Sequence, residues 1–64
     1  MTSNSKNIKK GDIREGVILG VNGKKVIDIG IEHTIQYHGK KEVGKRVIVK
    51  IKKGFPDFAV YDIE

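Results

Sequence analysis

The chain has 64 residues, enough for one small domain that buries roughly 60% of its unfolded surface, and this leaves little area for a deep catalytic pocket. It contains no cysteine, which excludes a disulfide scaffold and every cysteine-based zinc or redox site. Thirteen Lys and Arg against eight Asp and Glu give a net charge of +5, a balance that favours an anionic partner, most often nucleic acid, over an acidic protein or a membrane surface.

The charge is unevenly spread. Up to Lys53, thirteen bases and five acids give +8, whereas the last eleven residues carry only Asp57, Asp62 and Glu64, hence −3. No apolar run approaches the ~18 residues of a membrane span, and the polar start from Met1 to Asn7 lacks the apolar segment of a signal peptide. The expectation is a cytoplasmic protein with no membrane partner.

Residues 1–10 read as a flexible arm around Ile8, made basic by Lys6, Lys9 and Lys10, with one domain over 11–64. From Asp12 onward the pattern is strand. Val17, Leu19 and Val21 alternate with Ile18, Gly16 and Gly20, and Val17 is expected to face the core; glycine inside a strand marks a bulge or tight bend. Asn22-Gly23 is the strongest two-residue hairpin signal, because a type I′ turn needs positive φ at both central positions. It sets the register of the first two strands, and a slip of one residue would send every side chain to the opposite face.

The second strand, Val26-Ile27-Asp28-Ile29-Gly30-Ile31, is rich in β-branched residues, with Ile27 and Ile29 on the predicted core face. Thr34 to His38 alternates as a third strand with Ile35 and Tyr37 inward, and Gly39 to Gly44 is a charged loop too short for a stable helix. Val47, Val49 and Ile51 form the inner phase of strand four; Lys53 to Asp57 turns the chain; Phe58 to Ile63 is strand five. Five short strands with regular turn signals and no helix beyond two turns predict an all-β fold, a small five-stranded antiparallel barrel, because closure removes exposed sheet edges.

The candidate binding surface is the outward face of strands two and three with its basic border: Lys24, Lys25, Val26, Gln36, His38 and Lys40, extended by Lys50 and Lys52. A positively flanked strand face carrying an imidazole and an amide suits single-stranded nucleic acid, whose bases stack on planar groups while the backbone follows positive charge. Of the four aromatics, Tyr37 falls on the core phase, and Tyr61 or Phe55 is the available stacking platform. His33 and His38 are an odd number of residues apart and so on opposite faces of a strand, which argues against a shared metal ion. Asp28 and His38 could face one another across strands two and three, but with no Ser or Cys nucleophile beside them they lack a triad. No catalytic residue, metal site, cofactor or small-molecule substrate is expected, and the chain reads as a non-enzyme.

The order of motifs resembles the RNA-binding OB-fold repeat of ribosomal protein S-one and its relative, bacterial translation initiation factor one. Gly11-Asp12-Ile13-Arg14-Glu15-Gly16-Val17-Ile18 resembles the opening of those repeats, and Val26-Ile27-Asp28-Ile29-Gly30 their second strand. His33 to His38 is similar to the third strand, which in the family often ends in a histidine on the RNA face, and Val43 to Val49 resembles the fourth. The resemblance implies an OB-like barrel acting in translation or RNA metabolism. This chain departs from the family in two places: the base-stacking aromatic of the second strand falls on Val26, and the connection between strands three and four is cut to Gly39 through Gly44. The shortened connection leaves an SH3-like barrel as the alternative fold. Two functions follow as expectations: a module that binds single-stranded RNA or another nucleic acid, or a protein-binding mimic that docks on the ribosome or RNA polymerase.

Overall fold

Asn22 and Gly23 both have positive φ, 52° and 76°, and Val21 pairs directly with Lys24 across them, so the expected two-residue turn of primed type is present. The computed structural model describes residues 7–63, in which five strands follow one another: β1 (Ile13–Val21), β2 (Lys24–Asp28), β3 (Ile35–Gln36), β4 (Arg46–Lys53) and β5 (Ala59–Asp62). All pairings are antiparallel, and the sheet order is β3-β2-β1-β4-β5. After β3 the chain crosses to the far side of β1 before forming β4, which gives the order of a curled, OB-like half-barrel whose two edges are β3 and β5. Among the described residues no helix is long and apolar enough to cross a membrane.

Residues directly opposite in an antiparallel pair share a face, so Ile18, Ile27 and Ile35 make one inward row across β1, β2 and β3. Val47, Val49 and Ile51 supply the facing wall from β4, and Ile8, Ile31 and Tyr37 complete the core, against which Ile29, Phe58 and Val60 pack. The expected inward positions of β2, β3 and β4 are thus occupied as the alternation predicts, with Ile29 only partly buried because β2 ends at Asp28.

Strand β1 has the opposite phase to the one expected. Ile18 is fully buried, whereas Val17 is half-buried on the outer face and Leu19 and Val21 are 38% and 47% exposed. The cause is Gly16. A Cβ there would stand 2.7 Å from the Asp28 carbonyl oxygen and 2.8 and 2.9 Å from Ile27 Cγ1 and Ile29 Cγ2, so the glycine phase is the crowded inner one. Counting apolar side chains selects the wrong face because the residue that faces the isoleucines has no side chain.

The N-terminal segment is also tied in. Ile8, expected within an arm, is 3% exposed in the core, and Gly11 N and Ile51 N donate to Ile51 O and Asp12 O, both at 2.8 Å, extending the β1–β4 ladder backwards. Residues 1–6 of that expected arm lie outside the described residues. Strand β3 keeps two residues of the five expected, although Tyr37 N donates to Lys25 O at 3.1 Å and carries the pairing one step further.

At Gly23 nothing lies within 4 Å of a Cβ, so a substitution there is opposed by backbone strain alone. Gly23→Val should lower stability by about 1–3 kcal/mol, read as a fall in the thermal midpoint. An unchanged midpoint would show that the turn does not require positive φ at this position.

Candidate nucleic-acid interface

The two sheet edges meet at one side chain. Tyr37 is 5% exposed; its hydroxyl donates to Asp62 Oδ2 at 2.8 Å across the β3–β5 seam and accepts from Lys41 N at 3.2 Å. Burial first, and then the bond to Asp62, raise its pKa above the usual 10.0. Gly39 lets the chain pass directly over the ring, since a Cβ there would overlap the Tyr37 hydroxyl and come within 2.7 Å of Asp62 Oδ2. The segment from His38 to Lys41 is thereby laid beside Val60, Tyr61 and Asp62.

Three shallow depressions share residues across this seam. Lys24, Lys25, Gln36 and His38 line the first; His38, Lys40, Lys41 and Tyr61 the second; Tyr61, Lys10, Lys50, Lys52 and Lys53 the third. Among the described residues they hold eight lysines and one carboxylate, Asp62, whose Oδ2 is already engaged by Tyr37. Exposed His38 and Tyr61, the latter 46% accessible, are the planar groups along the band.

The sequence-derived site residues divide between two halves of the sheet. Lys24 and Gln36 are exposed on the outer face, with half-buried Val26 between Gln36 and Leu19 in register. Lys25 lies instead on the inner phase of β2 and reaches over the barrel end, where its Nζ donates to Lys41 O at 2.8 Å. Lys40 is exposed in the loop after β3. Lys50 pairs with Ile13 on one side and Tyr61 on the other, and exposed Lys52 sits in the register shift between Ile51 and Lys53. Lys50 and Lys52 join the β2–β3 residues through the seam, not along one strand face. The sequence reading missed Lys10, Lys41 and Lys53. Lys53 had a signal in its position next to Lys52; Lys10 acquires its place from the Gly11–Ile51 hydrogen bond.

One other sequence expectation is decided by register. Val26 pairs with Gln36 and Ile27 with Ile35, so Asp28 is level with Thr34 and His38 with Lys24; Asp28 and His38 do not face one another. Asp28 Oδ1 accepts from Gly30 N at 2.9 Å and serves the turn after β2. Among the described residues no group of three or more His, Cys, Asp or Glu is placed to hold a metal ion. Phe55 and Phe58 meet edge to face, ring centroids 6.3 Å apart, and line a separate depression with His33, Thr34 and Gln36.

No family model, curated protein or solved structure matches this chain.

Because the folded protein holds the Tyr37 hydroxyl neutral, the stability it contributes is complete below pH 10.0 and falls as pH rises towards and through the raised folded value. Tyr37→Phe should lower stability at neutral pH by about 1–3 kcal/mol, since Asp62 Oδ2 loses its donor and Lys41 N its acceptor. It should also flatten the decline above pH 10 relative to the parent, measured as urea midpoints at several alkaline pH values. Parallel declines in parent and variant would remove Tyr37 as the group responsible.

Proposed function

We propose that this half-barrel is a non-enzymatic module that binds single-stranded RNA, in translation or RNA metabolism, with the β2–β3 side of the lysine band as its primary contact. The observation that carries this reading is the continuity of the band: lysines from β2, from the loop after β3 and from β4 adjoin one another around the seam. Lysine ammonium groups release condensed counterions from a phosphate backbone without reading sequence, and His38 offers a face to unpaired bases. A single strand suits this surface better than a duplex. The domain measures 27 × 23 × 21 Å, and a duplex, stiff over ~150 base pairs, would touch so small a convex body at one patch, whereas a flexible strand can follow the band around it. Val26, where the resembling family carries an aromatic, contributes no stacking, so the planar contact on the β2–β3 side is His38.

A second reading has its own support. The outer face of β1 exposes Leu19 and Val21 beside half-buried Val26, an aliphatic strip suited to docking on a protein of the translation or transcription machinery.

Titration with homopolymeric single-stranded RNA, single-stranded DNA and duplex between 50 and 200 mM salt, on the order of the range over which phosphate contacts are felt, separates the two readings. Joint replacement of Lys24, Lys25 and Lys40 by Gln should weaken RNA binding and reduce the slope of log affinity against log salt by about 0.7 for each phosphate no longer neutralised. His38→Ala should weaken binding at every salt concentration, because a stacked ring acts at short range. Failure to bind RNA more tightly than about 100 μM at ~50 mM salt would overturn the RNA reading. Partner capture abolished by Leu19→Asp would then favour protein docking.

A further inference from the structure

We infer that the β4–β5 side of the half-barrel is a second contact surface for the same RNA strand, with one base stacked on Tyr61 and the following phosphates laid over Lys10, Lys50, Lys52 and Lys53. The inference rests on the RNA reading and extends it from a face to a path. Ile13, Lys50 and Tyr61 are directly opposite in register across β1, β4 and β5, so all three project from the outer face in one row about 10 Å long. The row stands Tyr61, half-exposed, directly opposite Lys50.

Two irregularities concentrate charge around that ring. Ile51 pairs with Val60 but Lys53 with Ala59, and the extra residue breaks the alternation so that consecutive Lys52 and Lys53 are both exposed. On the other flank, Lys10 is held by the turn in which Gly11 N bonds Ile51 O and Lys9 N donates to Asp12 Oδ2 at 3.0 Å. Gly54 permits this closeness, since a Cβ there would stand 2.9 Å from the Ile8 carbonyl oxygen. Among the described residues no carboxylate lines the resulting cleft. Four like charges gathered about a half-exposed aromatic repel one another in the free protein, and a polyanion with planar bases relieves that repulsion and uses the ring. Tyr61 also borders the depression beside His38, so a strand leaving the β2–β3 face meets the ring as it crosses the seam.

The experiment compares oligouridylates of about four and about ten nucleotides, a length near the lower limit for a single OB fold and one well within its range. The longer oligomer should bind more tightly and quench tyrosine fluorescence, for which the chain is well suited: it has two tyrosines and no tryptophan, and Tyr37 is buried. Tyr61→Ala should cost the longer oligomer about 5- to 100-fold in affinity while leaving the shorter nearly unchanged. Tyr61→Phe should restore most of that affinity yet abolish the quench, which a loss of folding cannot imitate. Replacing Lys50, Lys52 and Lys53 by Gln should reduce the salt slope for the longer oligomer by about 0.7 per phosphate and spare the shorter. Tight RNA binding with no quench, or with equal losses for both lengths, overturns the second surface and leaves the first reading standing. Binding of neither oligomer overturns both.

Discussion

The hydrogen bond from Tyr37 to Asp62 is what turns a curled sheet into one continuous surface. Strand β3 has only two residues in the ladder, too few to hold an edge against β5 by backbone pairing, and the sheet order leaves both strands at its margins. A buried phenol that donates to one edge and accepts from the following loop fixes their approach through a few well-aligned bonds, each costly to break because its partner is shielded from water. Gly39 is part of the same device, since the chain must lie against the ring for Lys41 N to reach the hydroxyl.

Closing the seam also redistributes charge. Asp62 lies beside Lys40 and Lys41 and commits Oδ2 to the tyrosine. Elsewhere Arg14 pairs with Asp12 and Arg46 with Glu15, at 3.4 and 3.9 Å. With eight lysines against one carboxylate, what faces outward along the seam is more basic than the overall net charge suggests, and this local field is what a polyanion would meet.

The two functional readings use adjoining surfaces. Val26 is the boundary between them, with Gln36 on its basic side and Leu19 on its aliphatic side in a single row of paired residues. An aromatic at this position would have made the β2–β3 face a stacking platform; valine makes it continuous with the apolar strip of β1. The exposed planar groups along the lysine band, His38 and Tyr61, lie either side of the seam, so a nucleic-acid path of the kind proposed would centre there.

Much of this molecule was determined locally. The Asn22-Gly23 turn follows from the φ values that only a few residues tolerate, and the inward phases of Ile27, Ile35, Tyr37, Val47, Val49 and Ile51 follow from the period of two along each strand. The basic character of the site residues needed no fold at all. Tertiary structure decided three things that no local pattern contains. It set the phase of β1, because Gly16 faces the isoleucines of a different strand; it buried Ile8, because β4 and Gly54 accept a segment remote in sequence. It joined Lys50 and Lys52 to His38 and Lys40, because a phenol and a carboxylate separated by 25 residues meet across the seam. Propensity and periodicity act within a strand, whereas close approach between strands depends on which residues the completed sheet brings opposite one another.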